Sequence, residues 1–315
     1  MLRDDDDARL RLERAAALER AHARRPLRLG SFLGSWAFGL LRRPRAPAPH
    51  PPPPEVVPDG SVALTWIGHA TVRIAYPGVS CVTDPHLGAW VLAARRAVAP
   101  GIEARALRPV DLVLVSHAHR DHLHPATLSL LAGPGTTVVV PARCADLVAN
   151  LGFGRVVELD VGETHDHGKV RATLVPARHY GARRPGETRG RGYGGYVLRG
   201  EGPTVYYAGD TAFFSGFAEV GRRFKPEVAI LPIGGYAPAP FRKDHMSPLD
   251  AVHAFEDTGA RSFVPVRYGS FRLSHEPLEE PRTWLSAVLA ERGLESRVHL
   301  LEHGETAVVT RAVSP

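Results

Sequence analysis

From residue 61 onward the chain is built of short apolar runs separated by polar and glycine-rich breaks. "SVALTWI" (61–67), "TVRIAY" (71–76) and "VSCVTD" (79–84) are β-branched and too short for ordinary helices, so they read as strands. Runs of the same kind recur at 111–115, 136–140, 169–175, 193–199, 203–208, 227–231, 262–266 and 305–311. Helical patterns fit between them near 125–132, 143–150, 213–224, 247–258 and 281–292. The helix at 247 carries its own start signal, "SPLD": Ser247 can cap, Pro248 fills the first turn and Asp250 completes a capping box. Strands mixed with helices predict sheets in the middle and helices outside.

The first 60 residues are patterned differently. Residues 8–25 have a helix-forming composition, 31–41 are apolar, and 44–58 are proline-rich and read as an extended linker. The boundaries that follow are an N-terminal extension over 1–60 and one domain over 61–315. The acidic "DDDD" at 4–7 argues against a secretory signal, and 31–41 is too short to span a bilayer. Phe32, Leu33, Trp36, Phe38, Leu40 and Leu41, flanked by arginines, suit either a peripheral membrane contact or packing on the chain's own core.

Composition narrows the picture modestly. The 315 residues are 44% apolar and 23% charged, enough for a sizeable core. Two cysteines, Cys81 and Cys144, make no disulfide framework, so a cytoplasmic location is expected. The net charge of +6, carried almost entirely by arginine, favours a small-molecule or lipid partner that is anionic, or else reflects compositional bias. No basic patch is interleaved with aromatics, and no nucleic-acid partner is expected.

The densest chemistry lies at "SHAHRDHLHP" (116–125), between the strand "VDLVLV" (110–115) and the helix opened by "HPATLSLLAG" (124–133). A strand end is where open α/β sheets place ligands. His117 and His119, two apart in an extended segment, project to one side; Asp121 and His122 follow as the chain turns. Four such ligands within six residues suit zinc or another borderline divalent ion. His179 in "LVPARHYG" and Asp210 in "VYYAGDTAFF" end two other strands and add a third imidazole and a carboxylate. His165 and His167 in "THDHGK" read as a surface turn. The arginine- and glycine-rich stretch 181–195 reads as a loop beside the metal, either facing anionic substrate or simply solvated.

The string HxHxDH at 117–122, His179 and "AGDT" at 208–211 resembles the metallo-β-lactamase superfamily. "LTWIGHATVRI" (64–74), "VTDP" (82–85), "ARHY" (177–180) and "LPIGGY" (231–236) are similar to its N-acyl-phosphatidylethanolamine phospholipase D-like branch, itself close to ascorbate-lactonase-like hydrolases. The resemblance, over roughly 61–310, implies an α/β fold of αββα sandwich type: two mixed sheets face to face, helices on the outer faces, and dinuclear zinc at the open edge. It implies that His117, His119 and His179 hold the first metal, that Asp210 bridges, and that Asp121 and His122 hold the second. Asp84 matches an aspartate that orients a ligand histidine. His69 fits a similar role or a strand turn, and His245 either a position near the substrate or a loop before a helix.

One residue departs from that pattern. Where the branch has its last ligand histidine, "FVPVRYGSF" (263–271) has Arg267, which stays charged and offers no lone pair. Arg267 can pair with Asp121 or Asp210 and leave a mononuclear site. It can instead swing away while His275 supplies the nitrogen, or Asp121, His122 and Asp210 can hold a second ion alone. The expected activity is a zinc-dependent hydrolase, with one or two Zn2+ per chain, most readily of phosphodiesters, by metal-bound hydroxide attack. Asp121 or Asp210 would take the proton, and Arg267 and His245 would clamp an anionic group. A lactonase-type ester hydrolase and a catalytically silent metal-binding member are the alternatives.

Overall fold

The computed structural model describes residues 43–311 except 185, 188 and 189. The segments 8–25 and 31–41, and with them the membrane-contact reading, lie outside the described residues. In chain order the elements are β1 (Ser61–Gly68), β2 (Thr71–Tyr76), β3 (Val79–Thr83), β4 (Trp90–Val91), β5 (Ala94–Arg95), α1 (Ala104–Leu107), β6 (Leu112–Leu114) and α2 (Pro125–Leu131). There follow β7 (Thr137–Pro141), β8 (Arg155–Leu159), β9 (Thr164–His167), β10 (Val170–Val175), β11 (Gly195–Arg199), β12 (Val205–Tyr207) and α3 (Gly216–Phe224). The chain continues with β13 (Val228–Pro232), α4 (Pro248–Thr258), β14 (Ser262–Val266), α5 (Glu280–Arg292) and β15 (Thr306–Thr310).

Two sheets organise the core. One runs β15-β1-β2-β3-β6-β7-β8 and the other β14-β13-β12-β11-β10-β9. Alternation along the strands explains the layering, because successive side chains point to opposite faces. Leu112 and Leu114 of β6 and Val139 of β7 face the core shared with the second sheet. Val113, Val138 and Val140 face outward onto Leu107 of α1 and Leu128 and Leu131 of α2. Helices α3, α4 and α5 join the shared core through Phe217, Phe255 and Leu285. The result is the expected α/β sandwich.

Helix α4 forms as its sequence dictates. Ser247 accepts the Asp250 N–H, the Asp250 carboxylate accepts from Ser247 N–H at 2.9 Å, and Gly259 ends the helix at φ 67°. Elsewhere the pattern misled. His165 and His167 lie on the edge strand β9, not in a turn, and the chain reverses after them to pair His167 with Val170. Polar residues mask such a strand because only one of its faces needs burial. The helix expected at 143–150 is a 3-10 turn at Ala145–Leu147, where the Glu158 carboxylate captures the N–H groups of Cys144 and Ala145. The proline-rich segment is irregular and is tied to the domain through Arg45, whose N–H donates to the Ala97 carbonyl at 2.8 Å. No helix among the described residues is long and apolar enough to cross a membrane.

Candidate metal centre

Strands β1, β3 and β6 run the same way within the larger sheet, as do β10, β12 and β14 within the smaller. The residues just past their C-terminal ends converge: His69, Asp84, His117, His179, Asp210 and Arg267. Three of these, His69 (φ 55°), Asp84 (φ 36°) and Arg267 (φ 64°), adopt left-handed backbone at a cost of about 1–2 kcal/mol each. Local bonds hold the strain. The His69 carbonyl accepts both the Trp66 indole N–H (2.9 Å) and the Arg267 backbone N–H (2.8 Å).

The first cluster is His117, His119 and His179. His117 Nε2 lies 2.8 Å from His119 Nδ1, which lies 3.2 Å from His179 Nε2. The opposite ring nitrogens are committed elsewhere: His117 Nδ1 to Ser116 Oγ at 2.9 Å, and His179 Nδ1 to the Asp244 carbonyl at 2.9 Å. Neutral imidazoles so held turn lone pairs toward one point, which fits a shared cation. Burial lowers all three histidines from their ordinary value, His179 to about 3, and keeps them in the ligand-competent form. Asp210 Oδ1 is buried without a hydrogen-bond partner, and Asp210 joins His179 and His245 in an adjoining group of potential ligands, so the residues present fit a divalent ion.

The second cluster already contains fixed positive charge. Arg267 Nε donates to Asp210 Oδ2 at 2.7 Å, and its guanidinium lies 3.8 Å from Asp121 Oδ2. His122 Nε2 is 3.2 Å from Asp210 and 3.4 Å from Asp121. Burial pushes Asp210 upward, but Arg267 and then His122 outweigh it and hold the carboxyl well below the usual range. Burial opposes a charge on His122, yet Asp210, Asp121 and Asp84 raise it well above the ordinary value.

The remaining candidates fall around these clusters. His69 Nε2 is 3.1 Å from Asp121 Oδ2, and Asp84 accepts from His122 Nδ1 at 2.6 Å. His245 Nε2 is 3.1 Å from an Arg267 terminal nitrogen and 3.5 Å from Asp210. Arg267 spends its remaining terminal nitrogen on the Gly234 carbonyl at 3.3 Å, which leaves little of it to clamp a substrate. His275 sits against Phe241 and is not among the clustered ligand atoms.

Residues that sequence reasoning missed act one layer out. Ser116 donates its hydroxyl to Asp84 at 2.5 Å and Tyr207 donates to the same carboxylate at 2.6 Å. Ser116 directly precedes the histidine motif, so adjacency could have suggested it; nothing local marks Tyr207. Arg96, wholly buried, bonds the His86 and Gly88 carbonyls and lies over Phe271, whose ring edges against His69.

The histidine–aspartate cluster at the strand ends is a candidate metal site, and the relatives of this chain place it among metal-dependent hydrolases. Residues 80–268 match the beta-lactamase superfamily domain. The chain belongs to the metallo-β-lactamase superfamily. It is 33% identical to a metal-dependent hydrolase of Methanopyrus kandleri over 77% of this chain and 98% of that one. It is 31% identical to N-acyl-phosphatidylethanolamine-hydrolyzing phospholipase D 1 of Caenorhabditis elegans, over 74% of this chain and 71% of the relative. An isothiocyanate hydrolase from Delia radicum gut bacteria shares the fold: TM-score 0.65, 23% identity, 79% of this chain and all of that one covered.

Proposed function

We propose that this protein is a zinc-dependent hydrolase of phosphodiesters, phospholipase D-like in reaction, that works with one metal. His117, His119, His179 and Asp210 Oδ1 would hold the ion, a donor set that suits zinc. The observation that carries the reading is the 2.7 Å ion pair between Arg267 and Asp210. A guanidinium cannot be deprotonated in a protein, so it supplies the positive charge that a second cation would otherwise bring to Asp210 and Asp121.

When bound, the metal supplies Lewis acidity, lowering the pKa of water toward about 7 and polarising the oxygen that gains charge. The chain's own residues do the rest. Asp121, 8% exposed and held by His69, accepts the proton of the attacking water, because Asp210 gives one oxygen to Arg267 and His122 and the other to the ion. His245, whose Nε2 accepts from Arg267, stands beside His179 and Asp210 and keeps the guanidinium in place, so the proton taken by Asp121 is the one returned to the leaving oxygen. The phospholipase D named among the relatives and the net charge of +6 support an anionic diester, small or lipid, as substrate.

Elemental analysis of protein purified without chelator tests the metal count. One ion per chain is expected in the wild type and up to two in Arg267→His; two in the wild type overturns the one-metal reading. Turnover of a nitrophenyl phosphodiester set against small lactones tests the substrate. Hydrolysis of the lactones alone would exclude a phosphodiesterase, and no turnover of either would exclude the hydrolase assignment in favour of a silent metal-binding protein.

A further inference from the structure

Next to the metal centre, but outside it, an open cavity of about 410 Å³ is lined by Arg120, Arg183, Arg184, Arg191, Asp146 and Glu187, with Leu147. Four guanidinium groups face two carboxylates there, an excess of two positive charges. Arg191 is spent: it pairs with Asp146, with Glu187 at 2.8 Å and with the Arg143 carbonyl. One terminal nitrogen of Arg183 donates to the Ala118 carbonyl at 3.0 Å and the Leu123 carbonyl at 2.8 Å, the two ends of the ligand-bearing turn. The side chains of Arg120, between His119 and Asp121, and of Arg184 have no hydrogen-bond or ion-pair partner among the described residues. Burial, then the charges of Arg120 and Arg191, lowers Arg183 from its ordinary value, as expected where counter-charge is short.

We propose that this cavity is an oxyanion subsite that binds a phosphate group of the substrate remote from the bond that breaks. The inference rests on the phosphodiesterase reading and narrows its substrates to those with a second anionic group. Guanidinium forks match phosphate oxygens, and a concave site with excess positive charge concentrates anions. Arg183 is already anchored to the turn carrying His119 and Asp121, so an anion in the cavity is placed relative to the metal ligands without moving them. Arg120 and Arg184 supply the free donors.

The probe is inorganic phosphate, titrated calorimetrically into metal-loaded wild type, Arg184→Gln and the Arg120→Gln/Arg184→Gln double variant. Affinity is expected to fall about tenfold in the single variant, the loss of one charge-assisted hydrogen bond, and further in the double. Metal content per chain should not change. Equal affinity in all three proteins at equal metal content overturns the subsite, since phosphate would then bind only at the metal. A second arm compares two diesters, one carrying a distal phosphate. KM for that substrate should rise about tenfold more in Arg184→Gln than KM for the plain diester, with kcat moving less. Equal effects on both substrates overturn the substrate assignment and leave a site for free phosphate. Failure of the function reading is distinct, because it shows as no diester turnover in any protein while phosphate binding still responds to the substitutions.

Discussion

Asp84 accepts the Ser116 N–H at 2.6 Å, the Ser116 hydroxyl at 2.5 Å, the Tyr207 hydroxyl at 2.6 Å and His122 Nδ1–H at 2.6 Å, while wholly buried. Through the Ser116 hydroxyl it also fixes His117, whose Nδ1 is 2.9 Å from that oxygen. One carboxylate thereby sets the tautomer of two site histidines, one in each cluster. Asp84→Asn turns an amide NH2 toward incoming donors and removes the charge that His122 faces. The expected cost is about 3–5 kcal/mol of stability and a roughly 10–100-fold loss of metal affinity. Denaturant unfolding of the metal-free protein and a competitive zinc titration measure the two separately. Unchanged zinc affinity would mean that His117 is oriented by something other than Ser116. The role of Asp84 was legible as a resemblance; its four donors were not, because they come from residues 116, 122 and 207.

Most elements that sequence patterning recovered are buried on both faces or capped locally; the edge strand β15 was recovered because its buried and exposed positions alternate regularly. Strands β1, β3 and β6 are buried at every position, and α4 writes its own start and stop. Strands β8 and β9 were missed because exposure along β8 does not alternate and every residue of β9 is polar. The turn after β12 shows what an element must supply to the site. Gly209 sits at φ 64°, and a Cβ there would lie 2.6 Å from Ser116 Cβ. Gly209→Ala is therefore expected to cost at least about 1–2 kcal/mol in backbone strain alone. It should also push Asp210 away from His179 and lower zinc affinity with it. A variant that lost stability but kept full zinc affinity would show that Asp210 is no ligand.

At the scale of the whole molecule, buried neutral histidines make the fold sensitive to acid. Burial, with His124 and Arg96 beside it, lowers His86 to about 2, and burial lowers His303 to about 4. Both lie below the ordinary value of 6.5, so the unfolded chain binds more protons once the pH drops below that value. Stability therefore falls with pH, by up to about 1.4 kcal/mol per unit for each histidine. The His303 contribution is complete near its folded value, and that of His86 continues lower. Denaturation midpoints from about pH 7 to about pH 5, with chelator throughout to remove metal release from the signal, should show this slope. His303→Gln should flatten it; an unchanged slope would mean that His303 is not held neutral in the fold.

What the sequence determined by itself was the set of local facts: which runs are strands, where α4 begins, and that 117–122 packs ligand side chains at a strand end. Its motif strings were specific enough to imply the superfamily and the αββα sandwich. It also exposed Arg267 as a departure and narrowed its role to three outcomes. Only the tertiary structure shows where Arg267 goes, onto Asp210, with His275 against Phe241. The same holds for Tyr207 on Asp84 and for the arginine cavity built from residues 120, 183, 184 and 191. The physical reason is range. Alternation, capping and turn chemistry act over a few residues and are written in order along the chain. Charge pairing and shared hydrogen bonds act between strand ends more than fifty residues apart, such as Asp210 and Arg267.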